Sequence, residues 1–205
     1  MIKRCVICVL AGIILLSLAS SAHAWDGQRQ GFLLGFGIGP GFTSYTQTVA
    51  ASDPSWGGTV SFESDRENKA GVMTDFKIGY APENSWAIYY TSKVSWFVMK
   101  NALGDNVTIA NGLGAVAACY WFQPQYPSPF VAGGVGFSTW SVPFEDPAPD
   151  SWIGPGFFAG GGYEFSRNIS VEGYLSLGSP RDTESGIEVK SDTFSFMVTL
   201  NWLGY

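Results

Sequence analysis

Asp75, Lys77, Lys93, Glu164 and Glu172 stand in mid-run, each flanked by uncharged residues, and they carry the best case for chemistry in this chain. Glu164 and Glu172, with Ser176 or Tyr174 nearby in sequence, provide the carboxylates and hydroxyls that acid–base or nucleophilic catalysis requires. The commonest general base near neutral pH is missing from the same region: the one histidine, His23, lies close to the N-terminus. The structural reading is simpler. Opposite charges in an enclosed interior pair with one another, so Glu164 and Glu172 are expected to neutralise Lys77 and Lys93.

Other motifs are weaker. Gly35-Phe36-Gly37-Ile38-Gly39-Pro40-Gly41 has the glycine density of a phosphate-binding loop. Such a loop needs a helix N-terminus behind it, and here the chain continues extended. Two acidic groups, Asp182, Glu184 and Glu188, and Asp53, Glu63 and Asp65, match no calcium-loop spacing. Cys119 has no partner thiol in the region after residue 24, and its run places it on the lipid face as a small hydrophobe. No metal or cofactor is expected.

The elements that must position these residues are strands. Apolar and small or polar residues alternate with period two in eight runs. Their apolar faces begin with Phe32, Leu34, Phe36 and Ile38, then Val72 to Tyr80, then Trp86 to Trp96. The fourth face is read as Leu113, Ala115, Ala117, Cys119 and Trp121, opposite Gly112, Gly114, Val116, Ala118 and Tyr120. The remaining four run Val131 to Thr139, Phe157 to Phe165, Ile169 to Leu177, and Phe194 to Trp202. Short turns at 81–85, 123–129 and 166–168 alternate with long connections near 41–69, 97–107, 142–153 and 179–192. Thr59 to Ser64 continues the alternation within the first of these.

That alternation of short and long predicts an all-β, eight-stranded antiparallel up-and-down transmembrane barrel, with the long loops outside the cell. The apolar faces listed carry no charge, whereas the opposite faces hold the five charged residues and many glycines. Trp86 and Trp96 are ten residues apart on one face, roughly 23 Å along the membrane normal for a tilted strand. Tyr80, Trp86, Trp121, Phe165 and Trp202 are expected at one interface and Trp96 at the other, as an aromatic girdle. Tyr89, Tyr120 and Tyr174 are expected to help fill the lumen.

Residues 1–24 read as a cleaved signal peptide. Lys3 and Arg4 precede the uncharged stretch Cys5 to Leu18, and Ala22-His23-Ala24 supplies the cleavage pattern. The barrel domain is then 25–205. Removing two of 11 basic residues leaves nine against 17 acidic, a net charge of −8. A domain so acidic is not expected to bind nucleic acid.

Gly31 to Gly41, Thr74 to Tyr80 with the following Ala-Pro turn, and Phe194 to Tyr205 resemble the small outer-membrane β-barrel proteins of Gram-negative bacteria, a group with OmpA/OmpX-type and OmpW-type members. The aromatic final residue resembles the terminal signal that the outer-membrane assembly machinery reads. The resemblance implies location in the outer membrane, contact with its lipids and lipopolysaccharide, and a monomer. Members of the group differ in role. A non-enzymatic surface protein for envelope integrity, adhesion or interaction is the leading expectation. A narrow channel for small or hydrophobic molecules, as the OmpW-type likeness implies, is the alternative, and a lipid A-modifying enzyme comes third.

Overall fold

The computed structural model describes residues 28–53, 58–100, 104–145, 150–184 and 186–205. The expected signal peptide, 1–24, lies outside them. The strands are β1 (Gly31–Asp53), β2 (Gly58–Glu63), β3 (Glu67–Glu83), β4 (Trp86–Lys100), β5 (Asn106–Trp121), β6 (Ser128–Ser141), β7 (Trp152–Ser166), β8 (Ile169–Gly178), β9 (Arg181–Glu184) and β10 (Ile187–Gly204). Every pairing is antiparallel, and β1 pairs with β10, which closes β1, β3, β4, β5, β6, β7, β8 and β10 into a ring of eight. β2 and β9 are short additions on the long-loop side.

Register sets the geometry of the barrel. A row of directly opposed residues starts at Phe36 and passes through Phe76, Ser92, Gly114, Phe137 and Pro155. It crosses β8 beside Ser179 and returns to β1 from Asp192 at Thr46, ten residues further on. With eight strands, ~3.3 Å rise and ~4.8 Å spacing, that stagger tilts the strands by about 40°.

The expected turns are present, as Asn84-Ser85, residues 122–127 and Arg167-Asn168. Three of the four expected long loops, 41–69, 97–107 and 179–192, are mostly strand, whereas in 142–153 strand begins only at Trp152. β1 runs for 23 residues, roughly 55 Å of height at this tilt against an apolar band of ~25 Å. The ladder continues above the membrane because backbone groups there still pair. Thr59 to Glu63 lies in the hairpin strand β2, which covers Gly58–Glu63, and Ser64 follows its end.

Seven runs face as the alternation implies. The fourth is reversed: in β5, Val116 is 64% exposed, while Ala115, Ala117, Cys119 and Trp121 are buried in the interior. From Gly114 to Cys119 both faces of this strand hold only Gly, Ala, Val and Cys, so hydrophobicity does not discriminate between them. Packing decides. The alanines leave volume for Tyr89, Phe158 and Tyr174, which share the same core.

Candidate functional site

The lumen is built in layers by alternate residues of the eight strands. Asp75 and Lys77 lie two residues apart on β3, and Lys93 is opposite Asp75 on β4. Glu172 comes from β8, across the barrel. Lys77 Nζ is 2.9 Å from Asp75 Oδ2 and Lys93 Nζ is 2.7 Å from the same oxygen. Lys93 Nζ reaches Glu172 Oε1 at 3.2 Å, and Lys77 donates to Glu172 Oε2. Two ammoniums and two carboxylates therefore form a closed, charge-balanced ring. All four side chains are buried.

The remaining valences are also met. Thr91 Oγ1 donates to Asp75 Oδ1 at 2.8 Å, and Lys77 donates to Asn201 Oδ1 at 3.2 Å. Lys93 Nζ lies 3.7 Å from the Tyr174 ring centroid and 4.8 Å from that of Phe158. Ring faces carry negative quadrupole charge, so these contacts attract the ammonium. Buried ions in a low-dielectric interior hold only when compensated this completely.

A second ionic contact closes the short-turn end. Glu164 does not join the lysines: its Oε2 accepts from Arg29 Nε at 2.8 Å. Arg29 Nη1 also donates to the carbonyls of Gln123, at 2.7 Å, and Asn84, at 3.1 Å. Its guanidinium lies 5.1 Å from the Trp121 ring, and Tyr205 meets that ring edge-on. Between the two ionic layers, beside Lys77, Tyr89, Glu164 and Glu172, is a cavity of about 20 Å³. That is room for about one water molecule.

Above the charged ring, Thr43 Oγ1 is 2.7 Å from Ser95 Oγ and 2.8 Å from Ser195 Oγ. Higher still, Tyr45, Phe97 and Trp140 form an aromatic cap with centroids 4.9–5.9 Å apart. The Tyr45 hydroxyl donates to Glu67 Oε2 at 2.9 Å, and Lys69 Nζ is 2.8 Å from the same carboxylate oxygen.

The outer wall is the reverse of the lumen. Phe36, Ile38, Val116 and Val135 are 52–70% exposed, whereas Lys93 and Glu172 are each 1% exposed. In water this polarity is inside-out. In hydrocarbon, a closed ring satisfies every strand edge and presents a largely apolar, uncharged wall. The facing is that of a small transmembrane β-barrel.

No family model matches the chain, and no curated protein does. Among solved structures it is similar to OprG of Pseudomonas aeruginosa, at 11% identity and a TM-score of 0.47, covering 86% of this chain and 97% of that one. It is also similar to AlkL determined in DMPC lipid bilayers, at 15% identity and a TM-score of 0.46, covering 87% and 92%. A third is Ail, the attachment invasion locus protein of Yersinia pestis, in complex with the heparin analogue sucrose octasulfate, at 11% identity and a TM-score of 0.40, covering 84% and 99%.

The other expected site residues divide clearly. On the outer wall, Tyr80, Phe165 and Trp202 are exposed and Trp86 and Trp96 half-buried. Trp96 also donates from Nε1 to Thr74 Oγ1 at 2.9 Å. Trp121 is a correction: it points into the lumen beneath Arg29, because β5 is reversed. Cys119 likewise faces the lumen, and Tyr120 faces outward while Tyr89 and Tyr174 are inside. Sequence reasoning missed Arg29, Asn201 and the aromatic cap. The odd-numbered alternation of β1, continued past Gly41, was the available signal for Tyr45. Arg29 precedes the first run, where periodicity has nothing to say.

Proposed function

We propose that this protein is a non-enzymatic, non-conducting barrel that acts through its extracellular strands and loops, in surface interaction or envelope integrity. One observation carries the reading: the ring of Asp75, Lys77, Lys93 and Glu172 joins opposite walls of the lumen, and the cavity beneath it is about 20 Å³. A hydrated solute does not fit through such a plug. The two glutamates that favoured catalysis are each neutralised by cations and enclosed, which leaves no space for a substrate beside Ser176 or Tyr174.

The surface offers more. Beyond the membrane, β9, β10, β1 and β2 continue as an antiparallel sheet, and β2 exposes Val60 and Phe62. Exposed apolar side chains on a protruding strand suit contact with another molecule. In this reading the chain is exported with residues 1–24 removed, inserted by the outer-membrane assembly machinery, and works as a monomer.

Planar-bilayer recording on the purified, refolded protein tests the proposal. The expected record is flat at all voltages the bilayer withstands. Steady single-channel steps overturn the plugged-lumen reading and leave the narrow-channel alternative in its place.

A further inference from the structure

Above the barrel, pairing builds a four-stranded sheet in the order β2, β1, β10, β9. Alternation along β1 carries both barrel surfaces upward into it. Thr43 and Tyr45 are buried in the lumen, so Val49 and Ala51 continue that side and overlook the mouth. Register extends this side into two rows. One is Phe62, Val49, Val189 and Asp182, and the next is Val60, Ala51, Ile187 and Glu184. On the first three strands the face is apolar and bare: Phe62 is 73% exposed, Val60 76%, Ile187 46% and Val49 41%. At its foot lies the aromatic cap, where Trp152 stacks on Trp140 with centroids 6.3 Å apart.

The fourth strand differs. Asp182 and Glu184 set carboxylates beside the apolar rows, and no cation pairs with either among the described residues. The nearby cations are committed elsewhere. Lys190 and Arg181 oppose each other on the other side of the sheet, where Glu63, Glu188 and Asp192 more than balance them. Lys69 holds Glu67 at 2.8 Å. The mouth-facing side is therefore apolar with an anionic end.

Size and charge together fix the kind of occupant. The apolar rows span roughly 10 Å across the strands and 7 Å along them, far below the ~800 Å² per partner of a stable interface between folded proteins. A second copy of the chain is disfavoured by charge as well. Two-fold packing of this face on itself sets β9 against β9 or against β2, which opposes carboxylates or buries them on Phe62 and Val60. A peptide segment meets both conditions. Laid across the strands, about four extended residues cover the ~14 Å from Phe62 to Asp182, with a basic side chain at the far end.

We propose that this face binds an extended peptide segment in which apolar side chains are followed by lysine or arginine. The inference rests on the reading of the protein as a surface-interaction barrel, and it names the face and the class of partner.

Fluorescence anisotropy tests it, with the full barrel in nanodiscs of zwitterionic lipid and empty nanodiscs as the blank. The probe is a short labelled peptide of alternating leucine and serine that ends in two lysines. Saturable binding is expected, at least tenfold weaker when glutamates replace the lysines or serines replace the leucines. Val60→Thr/Phe62→Thr lowers affinity at least tenfold, and Asp182→Asn/Glu184→Gln about fivefold, as for exposed charge pairs. Glu63→Gln/Arg181→Gln, on the opposite side, leaves it unchanged. So does Ser61→Pro. The Ser64 N–H points to Gln47 on β1, so by alternation that of Ser61 points to the open edge of β2. Heat-modifiable gel mobility confirms folding of each variant. The assignment is overturned if Val60→Thr/Phe62→Thr or the acid-to-amide variant binds as the parent does. It is also overturned if Ser61→Pro abolishes binding, which moves the peptide to the β2 edge. A dimer that Val60→Thr/Phe62→Thr disperses replaces the peptide with a second copy. Absence of binding with a flat conductance record strikes this site alone and leaves the plugged-barrel reading in place.

Discussion

Gly37 is directly opposite Asn201 in the β1–β10 ladder, and a Cβ at that glycine would overlap the Asn201 carboxamide oxygen that accepts from Lys77. The glycine is therefore part of the ionic layer although it has no side chain. Gly37→Ala is expected to displace Asn201 and destabilise the folded barrel by about 1–3 kcal/mol, the usual range for overpacking. Gly173→Ala is the control, since a Cβ there meets no atom within 4 Å. Urea unfolding in micelles, followed by tryptophan fluorescence, reads both.

Removing one charge from the ring is expected to cost more than removing a neutral pair. Lys93→Met leaves Asp75 and Glu172 facing a single ammonium, and breaking a buried pair typically costs about 3–5 kcal/mol. Lys93→Met/Glu172→Gln restores neutrality and keeps the Lys77–Asp75 contact of 2.9 Å. The double variant should recover most of the loss in the same unfolding experiment. A double variant as unstable as the single one contradicts the charge-balance account.

The reversed facing of β5 makes a direct chemical prediction. Cys119 is buried in the lumen, so a maleimide should label it only after denaturation. A cysteine placed at the outward Val116 in a Cys119→Ala background should react with a lipophilic maleimide in the folded barrel. The opposite labelling pattern would restore the facing expected from the sequence.

The aromatic cap should respond to acid through Glu67. Hydrogen bonds from Lys69 and then Tyr45 hold this carboxyl below its ordinary value of 4.5. A carboxyl with a depressed folded-state pKa contributes stability above its unfolded pKa and loses it as pH falls through the lower folded value. The contact is partly exposed, so the effect is expected to be small, about 0–1 kcal/mol. Near-UV circular dichroism of the Tyr45–Trp140 cluster should change as pH drops below 4.5, and Glu67→Gln should flatten that change.

Much of the architecture follows from period two, because a strand shows alternate side chains to opposite surroundings and a lipid-facing surface tolerates no charge. That places Phe36, Trp86, Phe157 and Trp202 outside and Asp75, Lys77, Lys93 and Glu172 inside. The same rule fails at β5, where Ala117 and Ala118 are alike and only the volume demanded by Tyr89 and Tyr174 separates the faces. It is silent on Arg29, which belongs to no alternating run and yet completes the seal against Glu164.

The chain by itself determined that eight closed strands would face hydrocarbon outward, since composition and alternation are local properties. Tertiary structure alone decided which charge meets which. Lys77 and Glu172 are separated by 95 residues and come together only through the ten-residue stagger of the closed ring. Pairing across a lumen depends on register summed over every strand, and no single segment contains that sum.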